Sequence, residues 1–182
     1  MERTVSGRAG RVSRTGRAAL AVVLGAAVLA GCAGQPGAAA IVDGRVISQD
    51  ELAQAREDLA SLFPEADAAG VLSYLIVGPF FLDEASERGV GVSRDDARAL
   101  LKQELEASGA DTTAEFGDDA LDVIRFTMAV QSLGALPEGE EALGEAEEAL
   151  MGADIEVNPR YGTFDPQTGI QRPSYPWLTP AG

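Results

Sequence analysis

The chain has 182 residues but a single cysteine, Cys32, and this count limits the folds that are open to it. One thiol cannot form an internal disulfide, so no covalent cross-link within the chain can stabilise the folded state. The fold must therefore rest on an apolar core alone. About 145 residues follow the N-terminal segment and the tether described next, and a domain of that size buries enough surface for such a core.

Residues 1–31 differ in composition from the rest of the chain. Five arginines lie in the first 17 residues, and residues 18–30 are then apolar without interruption. A helix that crosses a bilayer needs about 20 apolar residues, so this run is too short for a permanent span. A basic segment followed by a short apolar run is typical of a signal peptide, and we predict that residues 1–31 are one.

The end of this segment, Leu29-Ala30-Gly31-Cys32, resembles the lipobox of bacterial lipoproteins. The resemblance implies that Cys32 receives a diacylglyceryl group, that cleavage makes it the new amino terminus, and that palmitate-type chains hold the protein on the extracytoplasmic face of the cell membrane. Each buried methylene contributes about 0.8 kcal/mol, so two acyl chains give stable attachment where one is marginal. Residues 32–38 are small and turn-forming, which predicts a lipidated tether. The alternative is a buried structural cysteine behind an uncleaved anchor.

The predicted mature chain is strongly acidic. Removal of residues 1–31 leaves nine basic and 28 acidic residues, a net charge of −19. Nucleic acids and anionic lipid headgroups are bound through clusters of Lys and Arg, so this charge argues against both partner classes. We therefore expect the lipid, and not charge, to hold the protein at the membrane.

The domain is predicted to begin with a β-hairpin and a helix. Asp43-Gly44 lies between two short apolar runs, which is a strong signal for a type I′ turn. Ser48 and Glu51 have the spacing of a capping box, so a helix should begin there. Its apolar residues recur every three or four positions and predict one buried stripe, which ends before Pro64. The predicted stripe comprises Leu52, Ala55, Leu59, Leu62 and Phe63.

A second helix is predicted over residues 70–88, where the first two turns are apolar nearly all round, as in a central core helix. Pro79 lies inside it, removes one hydrogen bond and clashes with the preceding turn, at a cost of about 3 kcal/mol. The sequence therefore allows one kinked helix or two helices that break at Gly78-Pro79. Gly89 suits the left-handed position that follows a helix end.

Three more helices and a strand follow. Ser93 and Asp96 resemble a capping box for a helix over residues 94–107, and residues 114–135 are amphipathic. Residues 138–151 carry six glutamates and predict a solvated surface helix. These glutamates lack the spacing of a calcium loop, so no metal site is predicted.

The C-terminal segment combines a short strand with a tail. Ile155-Glu156-Val157 alternates apolar and polar residues, which predicts a strand that could pair with the hairpin. Residues 159–182 are rich in proline and aromatic residues, which favours irregular structure. Tyr161 and Phe164 either dock on the domain surface as packing anchors or form part of a peptide-binding surface. The predicted fold is thus mainly α, a small helical domain over residues 39–158 with a short β-hairpin and a C-terminal strand.

Two segments, AAIVDGRVISQDELAQAREDL and LIVGPFFLDEASERGVGVSRDDARALLKQEL, together resemble the N-terminal domain of SurA and PrsA-type chaperones. In that family a hairpin precedes a capped helix, a hydrophobic helix ends in an alanine with a glycine four positions on, and a Val-Ser pair starts the next helix. Here these positions are Ala85, Gly89 and Val92-Ser93, and the closing VNPRYGTFDP also resembles the end of lipid-anchored SurA-like proteins. The resemblance covers roughly residues 39–135. It implies a SurA N-terminal-like fold and a chaperone function in protein folding at the cell envelope.

Larger proteins of that family often carry a parvulin prolyl-isomerase domain, for which this chain has no room. Only residues 136–154 separate the fourth helix from the last strand, and the sequence contains no histidine, whereas parvulin active sites use a pair of them. His-based acid–base chemistry and the usual catalytic triads are excluded for the same reason. No phosphate-binding glycine-rich loop follows a strand. We therefore predict no enzyme activity, no catalytic residue and no cofactor.

The leading hypothesis for function is a lipid-anchored, chaperone-like module that binds unfolded or newly exported polypeptides through apolar contact. The alternative is a structural or adaptor lipoprotein that holds one specific partner in the cell envelope. Many different clients would favour the first hypothesis, and one stoichiometric complex would favour the second.

Overall fold

The computed structural model describes residues 35–172, so the predicted signal peptide, Cys32 and residues 173–182 lie outside the described part. This part is mainly helical with two small sheets, which confirms the predicted class. Its elements are β1 (Ala38–Val42), β2 (Arg45–Ser48), α1 (Gln49–Leu59), α2 (Ala68–Glu87), α3 (Arg94–Ser108), α4 (Asp118–Gly134), α5 (Gly139–Gly152), β3 (Ile155–Val157), β4 (Thr163–Asp165) and β5 (Gly169–Gln171).

The N-terminal hairpin has the turn that the sequence predicts. Asp43 and Gly44 have φ values of +48° and +81°, the positive values that a type I′ turn requires. β1 pairs antiparallel with β2 on one edge and with β3 on the other, where Ala40 lies opposite Val157. The sheet order is β2-β1-β3, so the predicted pairing of the last strand with the hairpin is confirmed.

α1 begins at the predicted capping box but ends earlier than predicted. The Ser48 hydroxyl accepts from the Glu51 N–H (3.1 Å), and the Glu51 carboxylate accepts from the Ser48 N–H (2.6 Å). The helix ends at Leu59, whose carbonyl accepts from the Phe63 N–H. Helical backbone is disfavoured directly before Pro64, so Phe63 leaves the buried stripe. The prediction that Phe63 belongs to the core was wrong, since the side chain is 48% exposed.

α2 is the central helix and continues through Pro79, so the structure has one helix and not two. It packs against α1, α4 and α5, and also contacts β1 and β5. Burial of its apolar side chains offsets the loss of the proline's hydrogen bond. By length and composition α2 would also suit a membrane span, but half of its most apolar 18-residue stretch is buried inside the protein. Its buried residues are Val71, Leu72, Leu75, Ile76, Gly78, Phe81 and Ala85.

The end of α2 and the start of α3 follow the predicted local signals. Gly89 has φ of +73°, and the Val90 N–H donates to the Ala85 carbonyl (2.8 Å), which is the pattern of a Schellman motif. Ser93 and Asp96 form the second capping box, in which the Asp96 carboxylate accepts from the Ser93 N–H (2.9 Å). Both predictions are confirmed.

The apolar core has two clusters of buried side chains. The larger cluster joins the three-stranded sheet to α1, α2, α3 and α4. The smaller one lies between the second half of α2, the second half of α4, and α5. Arg88 at the end of α2 pairs with Glu84 (2.6 Å) and with Glu145 of α5 (2.5 Å), and these hydrogen bonds raise its pKa. The ion pairs therefore reinforce the contact between α2 and α5.

Residues 163–171 form a second hairpin, where the sequence predicted irregular structure. β4 and β5 pair antiparallel, and the Asp165 carboxylate fixes the turn by accepting from the N–H groups of Gln167 and Thr168, each at 3.0 Å. A carboxylate that binds backbone amides two and three positions on is typical turn chemistry. The prediction of an irregular segment was therefore wrong for these residues, because it rested on composition and not on this turn.

Candidate functional site

Tyr161 and Phe164, the two possible docking or peptide-binding residues, both lie against the larger core cluster and are partly buried. The Tyr161 N–H donates to the Asn158 carbonyl (2.9 Å), and the Arg160 guanidinium lies 5.1 Å from the ring centroid, within cation–π range. Neither side chain lines either of the two cavities described below. The predicted lipidation site, Cys32, lies outside the described residues.

An apolar groove lies between the loop that follows α1, the first half of α2, and α4. Its volume is about 580 Å³, and most of its lining surface is apolar. Pockets that bind ligands in proteins span roughly 300–1,000 Å³, so this groove has room for one or two large side chains. We call it the apolar groove; its lining residues are Leu59, Leu62, Phe63, Pro64, Glu65, Ala66, Asp67, Gly70, Val71, Tyr74, Val123, Ile124 and Thr127.

Two aromatic side chains of the apolar groove are exposed. Phe63 is 48% exposed and Tyr74 is 47% exposed, and both are among the few large hydrophobic side chains on the surface of the described residues. The Tyr74 ring lies 5.7 Å from that of Phe126, which in turn packs edge-on against Phe81 at 5.3 Å. Such aromatic pairs restrain both rings. The exposed side chain of Tyr74 is therefore held in place on α2 by its contact with Phe126.

A second cavity, the hairpin cleft, lies between α2 and the β4–β5 hairpin and has a volume of about 470 Å³. Ser73 fixes the hairpin to the helix. Its hydroxyl donates to the Ala69 carbonyl (2.8 Å) and accepts from the Ile170 N–H (2.9 Å). Gly169 fits closely against the same side chain, since a Cβ there would lie 2.9 Å from Ser73 Oγ.

Asp67 lies where the two cavities meet and belongs to the walls of both, together with Gly70 and Tyr74. Its carboxylate caps α2 by accepting from the Gly70 N–H (2.7 Å) and also forms an ion pair with Arg172. Arg172 is the last described residue. The last described residue therefore lies in the hairpin cleft and contacts a side chain that also lines the apolar groove.

The apolar groove offers little for catalysis. Its ionisable groups are the carboxylates of Glu65 and Asp67 and the phenol of Tyr74, and Thr127 adds a hydroxyl. Within residues 35–172, no three His, Cys, Asp or Glu side chains are placed to hold a metal ion. What this surface can do is bind apolar groups through contacts that have no directional requirement.

Two carboxylates with shifted pKa values lie away from this surface, at the start of α4. Burial and the neighbouring charge of Glu51 raise the pKa of Asp119. Burial also tends to raise the pKa of Asp122, but hydrogen bonds from Arg94 and Arg125 outweigh this effect, and the pKa of Asp122 is lowered. Arg94 at the start of α3 donates to Asp122 at 2.9 and 3.1 Å. The group formed by Asp122, Arg94 and Arg125 therefore joins α3 to α4 and has a structural role.

The sequence did not reveal the apolar groove, because its walls come from three separate segments. A local signal existed at two positions. Phe63 directly precedes Pro64, so it cannot easily continue a helix. Tyr74 is the one tyrosine in the mainly apolar first half of α2, and its polar tip favours a position at the surface.

Comparison of this chain with models of known protein families, with curated proteins and with solved structures gave no match. The resemblance to the SurA N-terminal domain therefore stays a prediction from the sequence. Function has to be argued from the apolar groove itself and from the motif at Cys32.

Proposed function

We propose that this protein is a lipid-anchored, extracytoplasmic, chaperone-like module that binds unfolded or newly exported polypeptides in the apolar groove. The observation that carries the proposal is the pair of exposed aromatic side chains, Phe63 and Tyr74, at an apolar cavity of about 580 Å³. Exposed aromatic residues around a concave apolar surface are typical of sites that bind proteins or peptides.

The composition of the groove supports varied clients. Apolar contact depends on the area removed from water and not on a fixed pattern of donors and acceptors, so different apolar side chains can be accepted. Few charged groups line the groove, and therefore few buried charges would be left without a partner when a client binds. The resemblance to the SurA family points to the same class of function.

The charge of the chain supports a role in keeping clients soluble. The sequence after residue 31 has a net charge of −19. A domain with this charge repels other copies of itself, and a complex that keeps a large net charge resists association. Attachment through Cys32, the lipid-anchored part of the proposal, would place this surface at the membrane where exported chains emerge.

The test is client binding by the full chain, isolated in lipid nanodiscs. Reduced and carboxymethylated α-lactalbumin serves as a permanently unfolded probe. Replacing both Phe63 and Tyr74 with serine removes two exposed aromatic contacts. If each contributes about 1 kcal/mol, the affinity falls about 30-fold.

Met151→Ser is the matched control. Met151 is 61% exposed on α5 and does not line the apolar groove, so this variant should bind the probe like the wild type. Wild-type protein that neither binds the probe nor slows the aggregation of a denatured client would refute the proposal. Recovery of one stoichiometric partner from membranes, without binding of the probe, would favour the adaptor alternative.

The anchor is tested separately with Cys32→Ala. The proposal predicts that this variant leaves the membrane fraction, since no charge on the domain attracts it to anionic headgroups. Retention of the variant in the membrane fraction would contradict lipidation at Cys32.

A further inference from the structure

We infer that the apolar groove is occupied by the C-terminal segment of the same chain, residues 173–182, with Trp177 as its principal contact. The inference concerns the occupant of the groove in the resting protein. It stands independently of the proposed client binding, which is tested by a separate measurement below.

The segment directly follows a residue that contacts the wall of the apolar groove. Arg172, which directly precedes it, lies in the wall of the hairpin cleft and pairs with Asp67, a residue that also lines the apolar groove. A cavity of 580 Å³ is on the order of 10 Å across, and five residues in extended conformation span roughly 17 Å. Trp177 is five positions beyond Arg172, so the connecting residues are long enough to bring it to the groove.

The chemistry of the segment, PSYPWLTPAG, suits an apolar groove. It has no charged side chain, in a chain that is strongly acidic, and it carries Tyr175, Trp177 and Leu178 between three prolines. Proline-rich segments with interspersed apolar residues are recognised by grooves lined with aromatic side chains, because little conformational entropy is lost on binding. Phe63, Pro64 and Tyr74 provide such a lining.

The effective concentration of the segment at the groove is high, because both belong to the same chain. A segment joined to the domain at Arg172 is present at an effective concentration of about millimolar at a neighbouring site. A groove with weak intrinsic affinity for such a sequence would therefore still be filled by its own chain before it is filled by a second copy. Clients then bind by displacing the segment.

The experiment uses the only tryptophan in the sequence, Trp177, as the probe. In the full chain in nanodiscs, we expect blue-shifted emission and low quenching by acrylamide. Phe63→Ser with Tyr74→Ser should shift the emission to the red and raise the quenching constant several-fold, whereas Met151→Ser should change neither. Free quenching of Trp177 in the wild type would overturn the inference. So would shielding that persists in the double variant, because the indole would then be buried elsewhere, as in the lipid.

A second measurement leaves the groove unaltered. With a benzophenone amino acid in place of Trp177, photocrosslinking should join position 177 to peptides from residues 59–74 or 123–127 of the same chain, at a yield independent of protein concentration. Crosslinks between two chains, or crosslinks to other segments only, would overturn the inference.

The relation to client binding is tested with Trp177→Ala. If the segment occupies the client site, this variant binds carboxymethylated α-lactalbumin several-fold more tightly than the wild type. Shielded, groove-dependent Trp177 fluorescence together with no binding of that probe by either protein would uphold the inference and refute the proposed function. The two proposals can thus fail separately.

Discussion

The contact between Ser73 and the β4–β5 hairpin leads to a quantitative prediction for Ser73→Ala. The variant removes the hydroxyl that accepts from the Ile170 N–H at 2.9 Å. Ile170 is 9% exposed, so its N–H would lose its partner in a place with little access to water. An unsatisfied buried donor costs about 1–3 kcal/mol.

Two further effects of this substitution are small. The Ala69 carbonyl, to which the hydroxyl donates, lies inside α2 and keeps its helical partner. Alanine also has a higher helix propensity than serine, which offsets about 0.5 kcal/mol. We therefore expect a net loss of about 1–2 kcal/mol, concentrated in the attachment of the hairpin and not in the helical core.

The assay is amide hydrogen exchange at Ile170 together with denaturant unfolding. A loss of 1–2 kcal/mol lowers the protection of this amide about 5–30-fold. Amides in the middle of α2 should change less, because their opening requires the core to unfold. Ser86→Ala on the same helix has an exposed side chain and serves as the control, with a change within about 0.5 kcal/mol. Unchanged protection at Ile170, or an equal loss in the control, would refute the reasoning.

Three other predictions concern ion pairing and backbone conformation. Asp122→Asn should lower stability by about 1–2 kcal/mol at pH 7, since Arg125 loses a charged acceptor at 2.7 Å. The pKa of Asp122 in the folded protein lies below its ordinary value of 3.8. The stabilisation that Asp122 provides is therefore present above pH 3.8 and is lost as the pH falls through the folded pKa. An equal loss of stability in the variant at pH 7 and at pH 2.5 would contradict this origin. Gly162→Ala should open the β4–β5 hairpin, because Gly162 has φ of +130° and an added Cβ would overlap the Gln171 carbonyl. Unchanged hydrogen exchange at the amides of this hairpin would contradict the prediction. Gly144→Ala, at an exposed and open position in α5, should instead stabilise by about 0.5–1 kcal/mol, as thermal unfolding would show.

The features that could be predicted from the sequence are those that a few neighbouring residues determine. The turn at Asp43-Gly44 and the capping boxes at Ser48 and Ser93 depend only on local backbone geometry and hydrogen bonds, and the structure has all three. The sequence does not determine whether the helix continues through Pro79, because this depends on how much burial α2 gains from the helices around it. That gain is a property of the whole core.

The candidate site was less predictable for the same reason. Phe63, Tyr74 and Thr127 are far apart in the sequence and share a cavity only because α1, α2 and α4 pack together. Tyr161 and Phe164 stood out by residue type, yet residue type does not determine whether an aromatic ring faces a ligand or the core. A pattern search along one segment at a time does not find such a surface.

The position of β3 beside β1 has a consequence for the order in which the chain acquires its structure. Ala40 and Val157 lie opposite each other but are 117 positions apart in the sequence. Contacts of such long range form slowly, because a long loop has to close first. During synthesis from the amino terminus, β1 therefore pairs with β2 alone until residues 155–157 have been made and can pair with its other edge. An unpaired edge is a template for the strands of other chains, so β3 protects the newly made protein from self-association.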